Sequence, residues 1–134
     1  MDKFEKYGQM LIETNKKFNL TTIDEPDQIK IKHFEDSLTI KSYINEGMKV
    51  LDIGSGAGFP GIPLRIEKDF DLTLIDSVNK KVNFMNQVIE ELDLKNTRAI
   101  HVRAEDFAKE HREEFDMVIS RAVANLSLSL IHIS

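Results

Sequence analysis

The chain has 134 residues, 41% of them hydrophobic, which suits one domain with a buried core and leaves little room for a second full domain. It has no cysteine, so disulfides, thiolate metal sites and cysteine nucleophiles are not expected, and the composition fits a protein of the reducing cytoplasm. It has no apolar run near the ~20 residues that span a bilayer, so a membrane location is not expected. The formal net charge of -5 disfavours a general affinity for DNA or RNA, so that any RNA contact would need a local basic patch.

Two helices are predicted ahead of the first strand. Apolar residues at roughly helical spacing predict an amphipathic helix from Phe4 to Phe18. Asp24 as N-cap and Pro26 in the first turn predict a second helix, which Gly47 ends. We interpret residues 1–47 as a helical segment that packs on the sheet that follows.

Strands and helices alternate in the rest of the chain. Four short apolar stretches predict strands, at Lys49–Ile53, Leu72–Ile75, Ala99–Val102 and Phe115–Ile119. Helical patterns separate them, at Pro60–Glu67, Asn79–Leu92 and Glu105–Glu113. This alternation predicts a parallel sheet in a doubly wound α/β fold.

A glycine-rich stretch, GSGAGFPG, lies directly behind the first predicted strand. Glycines between a strand and a helix let the backbone approach a ligand, and the helix behind them offers free N–H groups. Gly56, Gly58 and Gly61 fit the G-x-G-x-x-G pattern, which is a weak signal on its own. No Lys-Ser or Lys-Thr pair follows the turn, which excludes a phosphate-binding P-loop.

Two acids flank this turn and narrow the class of ligand. Asp52 would face a pyrophosphate with like charge, which disfavours a dinucleotide and favours a cationic ligand. Asp76 ends the second strand about 20 residues after the glycines, where an acid can accept hydrogen bonds from both ribose hydroxyls. Because NAD sites share this second feature, Asp76 by itself indicates a nucleoside and not a particular one.

The stretch LDIGSGAGFPG resembles the first motif of the class I methyltransferases, whose cofactor S-adenosylmethionine carries an ammonium and a sulfonium group. With GAGFPGIPL, LIDSVNKKVNFMNQVIEEL, RAEDF and FDMVISRAVA, the chain closely resembles the bacterial RsmG family, also called GidB, from about residue 4 to Ser127. The resemblance implies that residues 48–127 form the first four strands of a Rossmann-like class I methyltransferase domain. It also implies methyl transfer from S-adenosylmethionine to nitrogen 7 of a guanine in 16S ribosomal RNA, free or in the small ribosomal subunit.

The resemblance also implies the residues that hold the cofactor. Asp52 is expected close to its methionine end and Asp76 at its ribose, and the remaining expected contacts are Gly54, Gly56, Phe59, Ala104, Glu105 and Arg121. Guanine nitrogen 7 has an in-plane lone pair and no proton, so the reaction needs no general base. We accordingly predict no catalytic acid or base and no metal, with Arg121 as a candidate for positioning the substrate.

Three other functions remain open at this point. The glycine turn and Asp76 also suit a nicotinamide-dependent oxidoreductase, which Asp52 disfavours. A methyltransferase-like module that binds RNA or a partner without catalysis is the second alternative. The third is a small-molecule methyltransferase, which the acidic net charge mildly favours and the family motifs oppose.

The end of the chain departs from the family pattern. Residues 128–134 are interpreted as an atypical tail that is not native, and the chain as an N-terminal portion of the family fold. We therefore expect the fourth strand to present an unpaired, apolar edge. The expected consequences are low stability and weak or absent catalysis by this chain.

Overall fold

The computed structural model describes residues 2–17, 35–121 and 126–130. Its strands form one sheet in the order β3-β2-β1-β4-β5, with the bounds β1 (Lys49–Ile53), β2 (Asp71–Asp76), β3 (Thr97–His101), β4 (Met117–Arg121) and β5 (Leu126–Leu130). The helices are α1 (Lys3–Asn15), α2 (Glu35–Leu38), α3 (Gly61–Glu67), α4 (Asn79–Glu91) and α5 (Ala104–His111), with single 3₁₀ turns at Lys41–Tyr43 and Arg112–Glu114.

The first four strands run parallel, which confirms the predicted α/β class. From β1 the chain adds β2 and β3 on one side and then returns to place β4 on the other side of β1. Open parallel sheets bind ligands beyond the carboxyl ends of the strands where the order reverses in this way. The fold therefore directs attention to the loop that follows β1.

The prediction of an unpaired edge on the fourth strand is wrong in this structure. β5 lies antiparallel beside β4, with Met117 opposite Leu130 and Arg121 opposite Leu126. The stretch Leu126–Leu130 alternates leucine and serine, a period of two that is typical of strands. Residues 128–130, interpreted as part of an atypical tail, thus belong to a strand that satisfies backbone groups of β4.

Helix α1 begins where the sequence has an N-cap residue. The Asp2 side chain accepts a hydrogen bond from the Glu5 backbone N–H at 2.8 Å, which satisfies one of the donors that a helix leaves exposed at its first turn. The helix ends at Asn15, short of the predicted end, and Phe18 lies outside the described residues.

The second predicted helix is shorter at its end than expected, and its predicted start at Asp24 and Pro26 lies outside the described residues. Helix α2 ends at Leu38, and a 3₁₀ turn replaces the helix that was expected to reach Gly47. The sequence TIKSYI over this stretch is rich in residues of weak helix propensity. Lys68 stabilises the alternative, since its Nζ donates to the carbonyls of Lys41 at 2.8 Å and Ile44 at 2.6 Å.

Apolar side chains cover both faces of the sheet. One face carries the larger cluster, built from β1, β2 and β4 with α1, α3 and α4, and it includes the fully buried Tyr7 and Leu11 of α1. The other face carries a smaller cluster under α5, formed by Leu51, Ile75, Phe107 and Phe115. Helix α1 is therefore part of the main core. None of the helices in the described ranges is long and apolar enough to cross a membrane.

Candidate functional site

The loop of residues 54–60 joins β1 to α3 at the carboxyl end of the sheet. The Ile75 carbonyl anchors its start, because it accepts hydrogen bonds from the backbone N–H groups of Gly54 at 2.9 Å and Ser55 at 3.3 Å. The register pairs Ile53 with Ile75, so Asp76 follows directly beside the loop. The sheet thus brings together the glycine turn and the acid that the sequence predicted to act with it.

Gly54 and Gly56 face open space. Their φ angles are +67° and +60°, in the left-handed region where glycine is favoured, and a Cβ atom built on either would meet nothing within 4 Å. No neighbouring protein atom therefore requires a small residue here. A backbone that turns without side chains toward open space leaves room for a ligand to approach it.

Gly58 and Gly61 serve the packing of the protein itself. A Cβ on Gly58, whose φ is +105°, would lie 2.5 Å from Ile62 Cδ1 and 2.8 Å from the Tyr7 hydroxyl. A Cβ on Gly61 would lie 2.6 Å from Asp52 Oδ2 and 2.7 Å from Leu74 Cδ2. The second pair of glycines therefore lets the loop and α3 approach the sheet and α1 closely.

Asp52 lies beneath the loop and is fully buried. Its Oδ2 accepts a hydrogen bond from the Gly61 backbone N–H at 2.8 Å. Gly61 is the first residue of α3, so the carboxylate satisfies a donor at the positive end of a helix. The side chain of Asp52 thus holds the start of α3. Its backbone carbonyl accepts a hydrogen bond from the Ser55 hydroxyl in the loop, at 3.0 Å.

Asp76 ties two loops together. Its Oδ2 accepts from the Gly56 N–H at 2.9 Å, and its Oδ1 accepts from the Val78 N–H at 2.8 Å, in the turn between β2 and α4. The residue is 7% exposed. A carboxylate offers about four lone-pair positions, so two N–H donors leave capacity for hydroxyl donors from a ligand. These bonds also hold the carboxylate in one orientation.

Phe59 contributes only its backbone to the open side of the loop. Its side chain is buried in the main core, with its ring 5.5 Å from that of Tyr7, and its peptide bond to Pro60 is cis. Tyr7 is a residue of this site that the sequence reasoning missed, because its helical spacing indicated only a core position. Its hydroxyl donates to the Ala57 carbonyl at 2.6 Å.

The remaining predicted residues lie along the same edge of the sheet. Ala104 and Glu105 begin α5 after β3; Ala104 packs against the smaller core cluster and Glu105 is exposed. Arg121 ends β4, and its side chain lies outside what the structure describes. The roles of these three residues at a cofactor stay predictions.

Elsewhere in the described residues we identify no competing centre. Within residues 2–17, 35–121 and 126–130, no cluster of three or more His, Asp or Glu side chains could hold a metal ion. A surface cavity of about 400 Å³ lies at the opposite, amino end of β1 and β2, lined in part by Glu46, Glu67 and Asp69. Since ligands of open α/β sheets bind at the carboxyl ends, we assign it no function.

Comparison with known proteins gives consistent results. The family model GidB, described as rRNA small subunit methyltransferase G, matches residues 1–131. The chain is 56% identical over 130 residues to a Ribosomal RNA small subunit methyltransferase G of Desulforamulus reducens, covering 93% of this chain and 54% of that protein. The protein of that name from Clostridium botulinum (strain ATCC 19397 / Type A) is 52% identical over 127 residues, covering 91% and 53%. The chain thus spans about half the length of these relatives.

Solved structures agree on the fold. A candidate protein-L-isoaspartate O-methyltransferase from Plasmodium falciparum, crystallised with S-adenosyl-L-homocysteine, aligns with a TM-score of 0.55 at 18% identity over 87% of this chain and 73% of its own. A precorrin-6y C5,15-methyltransferase from Geobacter metallireducens aligns with a TM-score of 0.54 at 16% identity over 77% and 51%. At these identities the likeness concerns the fold, which is that of the class I methyltransferases.

Proposed function

We propose that this chain, which belongs to the GidB family of ribosomal RNA small subunit methyltransferases, binds S-adenosylmethionine at the loop of residues 54–60 and transfers its methyl group to nitrogen 7 of a guanine in 16S ribosomal RNA. The observation that carries the proposal is the open side of Gly54 and Gly56 beside the oriented carboxylate of Asp76. The loop can take a ligand against its backbone, and the acid can accept from a ribose.

The proposed cofactor supplies an electrophilic methyl group on a sulfonium. The ring nitrogen of guanine brings its own lone pair and holds no proton, so this chain has no proton to remove. Its residues are left to bind, orient and exclude water, and orientation alone can account for roughly 7–11 kcal/mol of a barrier. The site fits this requirement, since its carboxylates, Asp52 and Asp76, both hold backbone groups.

A nicotinamide-dependent oxidoreductase fits less well. In a dinucleotide site the pyrophosphate takes the N–H groups at the start of the helix behind the glycines. Here the carboxylate of Asp52 already accepts the N–H of Gly61, the first residue of that helix. A pyrophosphate would have to displace a buried acid of its own charge. The non-catalytic binding module remains the second alternative, and binding measurements separate it.

Calorimetric titration of the chain with S-adenosylmethionine, and with NAD in parallel, tests the cofactor. We expect saturable binding of S-adenosylmethionine only. Asp76→Ala should weaken it by about tenfold or more, because a hydrogen-bonded carboxylate is worth roughly 1.5–3 kcal/mol. Asp71→Ala is the matched control, since Asp71 begins the same strand at its far end and pairs with Arg98. Binding of NAD, or equal affinities for both variants, would contradict the proposed site.

The substrate needs a separate test. We expect transfer of a labelled methyl group to 16S ribosomal RNA or the small subunit, weak in this chain, which spans about half the length of its matched relatives, and located at a guanine by cleavage chemistry specific for 7-methylguanine. RNA binding that is indifferent to S-adenosylmethionine, with no transfer, would favour the non-catalytic module instead. Because the matched relatives are bacterial proteins, we also place the activity in the cytoplasm, where bacterial ribosomes are assembled.

A further inference from the structure

The hydroxyl of Tyr7 contacts the glycine loop from outside the sheet. Tyr7 lies in the middle of α1, is fully buried, and donates a 2.6 Å hydrogen bond to the Ala57 carbonyl, 50 residues further along the chain. Its ring packs beside Phe59, with the ring centroids 5.5 Å apart. A helix that precedes the sheet in sequence is thereby joined to the loop by a polar bond as well as by apolar contact.

The loop is shaped to accept this hydroxyl. Gly58 has a φ of +105°, and a Cβ there would come within 2.8 Å of the Tyr7 oxygen. A side chain at Gly58 would therefore push the hydroxyl away from Ala57. The Ala57 carbonyl lies against the tyrosine oxygen and the place of a Cβ on Gly58 is left empty beside it, which a ring serving only to fill the core would not require.

Three side chains from three elements hold three backbone groups of this loop and its helix. Asp76 accepts from the Gly56 N–H, Asp52 accepts from the Gly61 N–H, and Tyr7 donates to the Ala57 carbonyl. The first two bonds restrain Gly56 and Gly61 from the sheet. The third restrains Ala57 from α1, at the residue that follows the open glycine Gly56.

We infer that Tyr7 is a positioning residue for the cofactor loop, which fixes the backbone at Gly56 and Ala57 in the conformation that receives S-adenosylmethionine. The inference rests on the proposed function. Fixing the loop before binding avoids the ordering cost that a mobile loop would add to each binding event. In this role Tyr7 affects affinity without touching the ligand.

The variant that tests this is Tyr7→Phe, which keeps the ring against Phe59 and removes the hydroxyl that donates to Ala57. We expect its dissociation constant for S-adenosylmethionine to rise about five- to twentyfold, as the loss of one hydrogen bond allows. Tyr43→Phe is the matched control, because Tyr43 is the other tyrosine of the chain and is 55% exposed. Its affinity should equal that of the wild type.

A second control separates positioning from general destabilisation. Leu11→Ala removes buried volume from the same helix without touching the bond to Ala57, and it should lower the midpoint of urea unfolding while leaving the affinity of the folded protein within twofold. Equal weakening of binding by Leu11→Ala and Tyr7→Phe would overturn the inference. So would a Tyr7→Phe chain that fails to fold while Leu11→Ala folds.

Hydrogen exchange in the ligand-free chain gives a readout independent of binding. Tyr7→Phe should speed exchange of the amides at 56–59 and leave those of α4 unchanged. If the wild type binds and Tyr7→Phe binds equally well with unchanged exchange, Tyr7 does not position the loop and the proposed function still stands. If the wild type does not bind S-adenosylmethionine, the proposed function fails, and this exchange comparison still decides whether Tyr7 restrains the loop.

Discussion

Replacing Gly61 by alanine should separate the role of this glycine in packing from the role of Gly56 in binding. Gly61 is the first residue of α3, and its backbone does not need the left-handed region. An added methyl group is therefore opposed only by what it meets. It would lie 2.6 Å from Asp52 Oδ2, 2.7 Å from Leu74 Cδ2 and 3.2 Å from Leu72 Cδ1.

The cost follows from these distances. Ordinary contact begins at 3.4 Å, so α3 would have to move outward by about 0.7–0.8 Å. That movement would lengthen the 2.8 Å bond between the Gly61 N–H and Asp52 to about 3.6 Å, beyond hydrogen-bonding range. Loss of a donor to a buried carboxylate costs roughly 1.5–3 kcal/mol, and the helix propensity of alanine offsets up to about 1 kcal/mol. We expect the free energy of unfolding to fall by about 0.5–3 kcal/mol.

Urea unfolding followed by circular dichroism measures this change. Gly8→Ala is the matched control, because Gly8 lies within α1 and a Cβ there would meet nothing within 4 Å. That variant should gain roughly 0.5–1 kcal/mol, since alanine loses less backbone entropy than glycine on folding. A Gly61→Ala chain as stable as the wild type would refute the packing role assigned to this glycine.

Two further substitutions test contacts remote from the site. Asn86→Ala removes a side-chain amide that forms two hydrogen bonds to the backbone of Ala99 on β3, one to its carbonyl at 3.1 Å and one from its N–H at 3.2 Å. Among the described strands β3 pairs only with β2, so its other edge is exposed. Sedimentation of the variant should show increased self-association through this edge. Lys68→Met removes the ammonium group that donates to the carbonyls of Lys41 and Ile44. The free energy of unfolding in urea should fall by roughly 1–3 kcal/mol. An unchanged midpoint would show that water replaces the ammonium group at no cost.

The parallel part of the fold could be predicted from the sequence because each strand is a short apolar run bounded by turn residues. The strand Lys49–Ile53 was predicted with the bounds it has in the structure. Both faces of its neighbours are covered by helices, so near-continuous hydrophobicity is the expected pattern for strands of this kind. The glycine turn and Asp76 were predicted side by side because the carboxyl ends of parallel strands meet at one edge.

The parts that were missed depend on contacts between distant residues. The alternating leucine and serine of Leu126–Leu130 has the period of a strand, but the sequence reasoning did not use it and interpreted residues 128–134 as an atypical tail, because they depart from the family pattern. The 3₁₀ turn that follows α2 accepts hydrogen bonds from Lys68, which lies beyond β1 and α3 in the chain. Tyr7 reads as one apolar position of a helix, and nothing in its spacing indicates that its hydroxyl meets Ala57.

The glycines also explain why the G-x-G-x-x-G pattern alone separates cofactor classes poorly. Gly56, Gly58 and Gly61 match it equally in sequence, yet a Cβ would meet open space at the first, Tyr7 and Ile62 at the second, and Asp52 at the third. The contact between Gly61 and Asp52 best separates the two classes of cofactor. In this structure the Gly61 N–H donates a hydrogen bond to the carboxylate of Asp52. In a dinucleotide site the N–H groups at this position donate to the pyrophosphate of the ligand. Two families can therefore share the glycine pattern and still differ in the residue at the position of Asp52, two residues before Gly54.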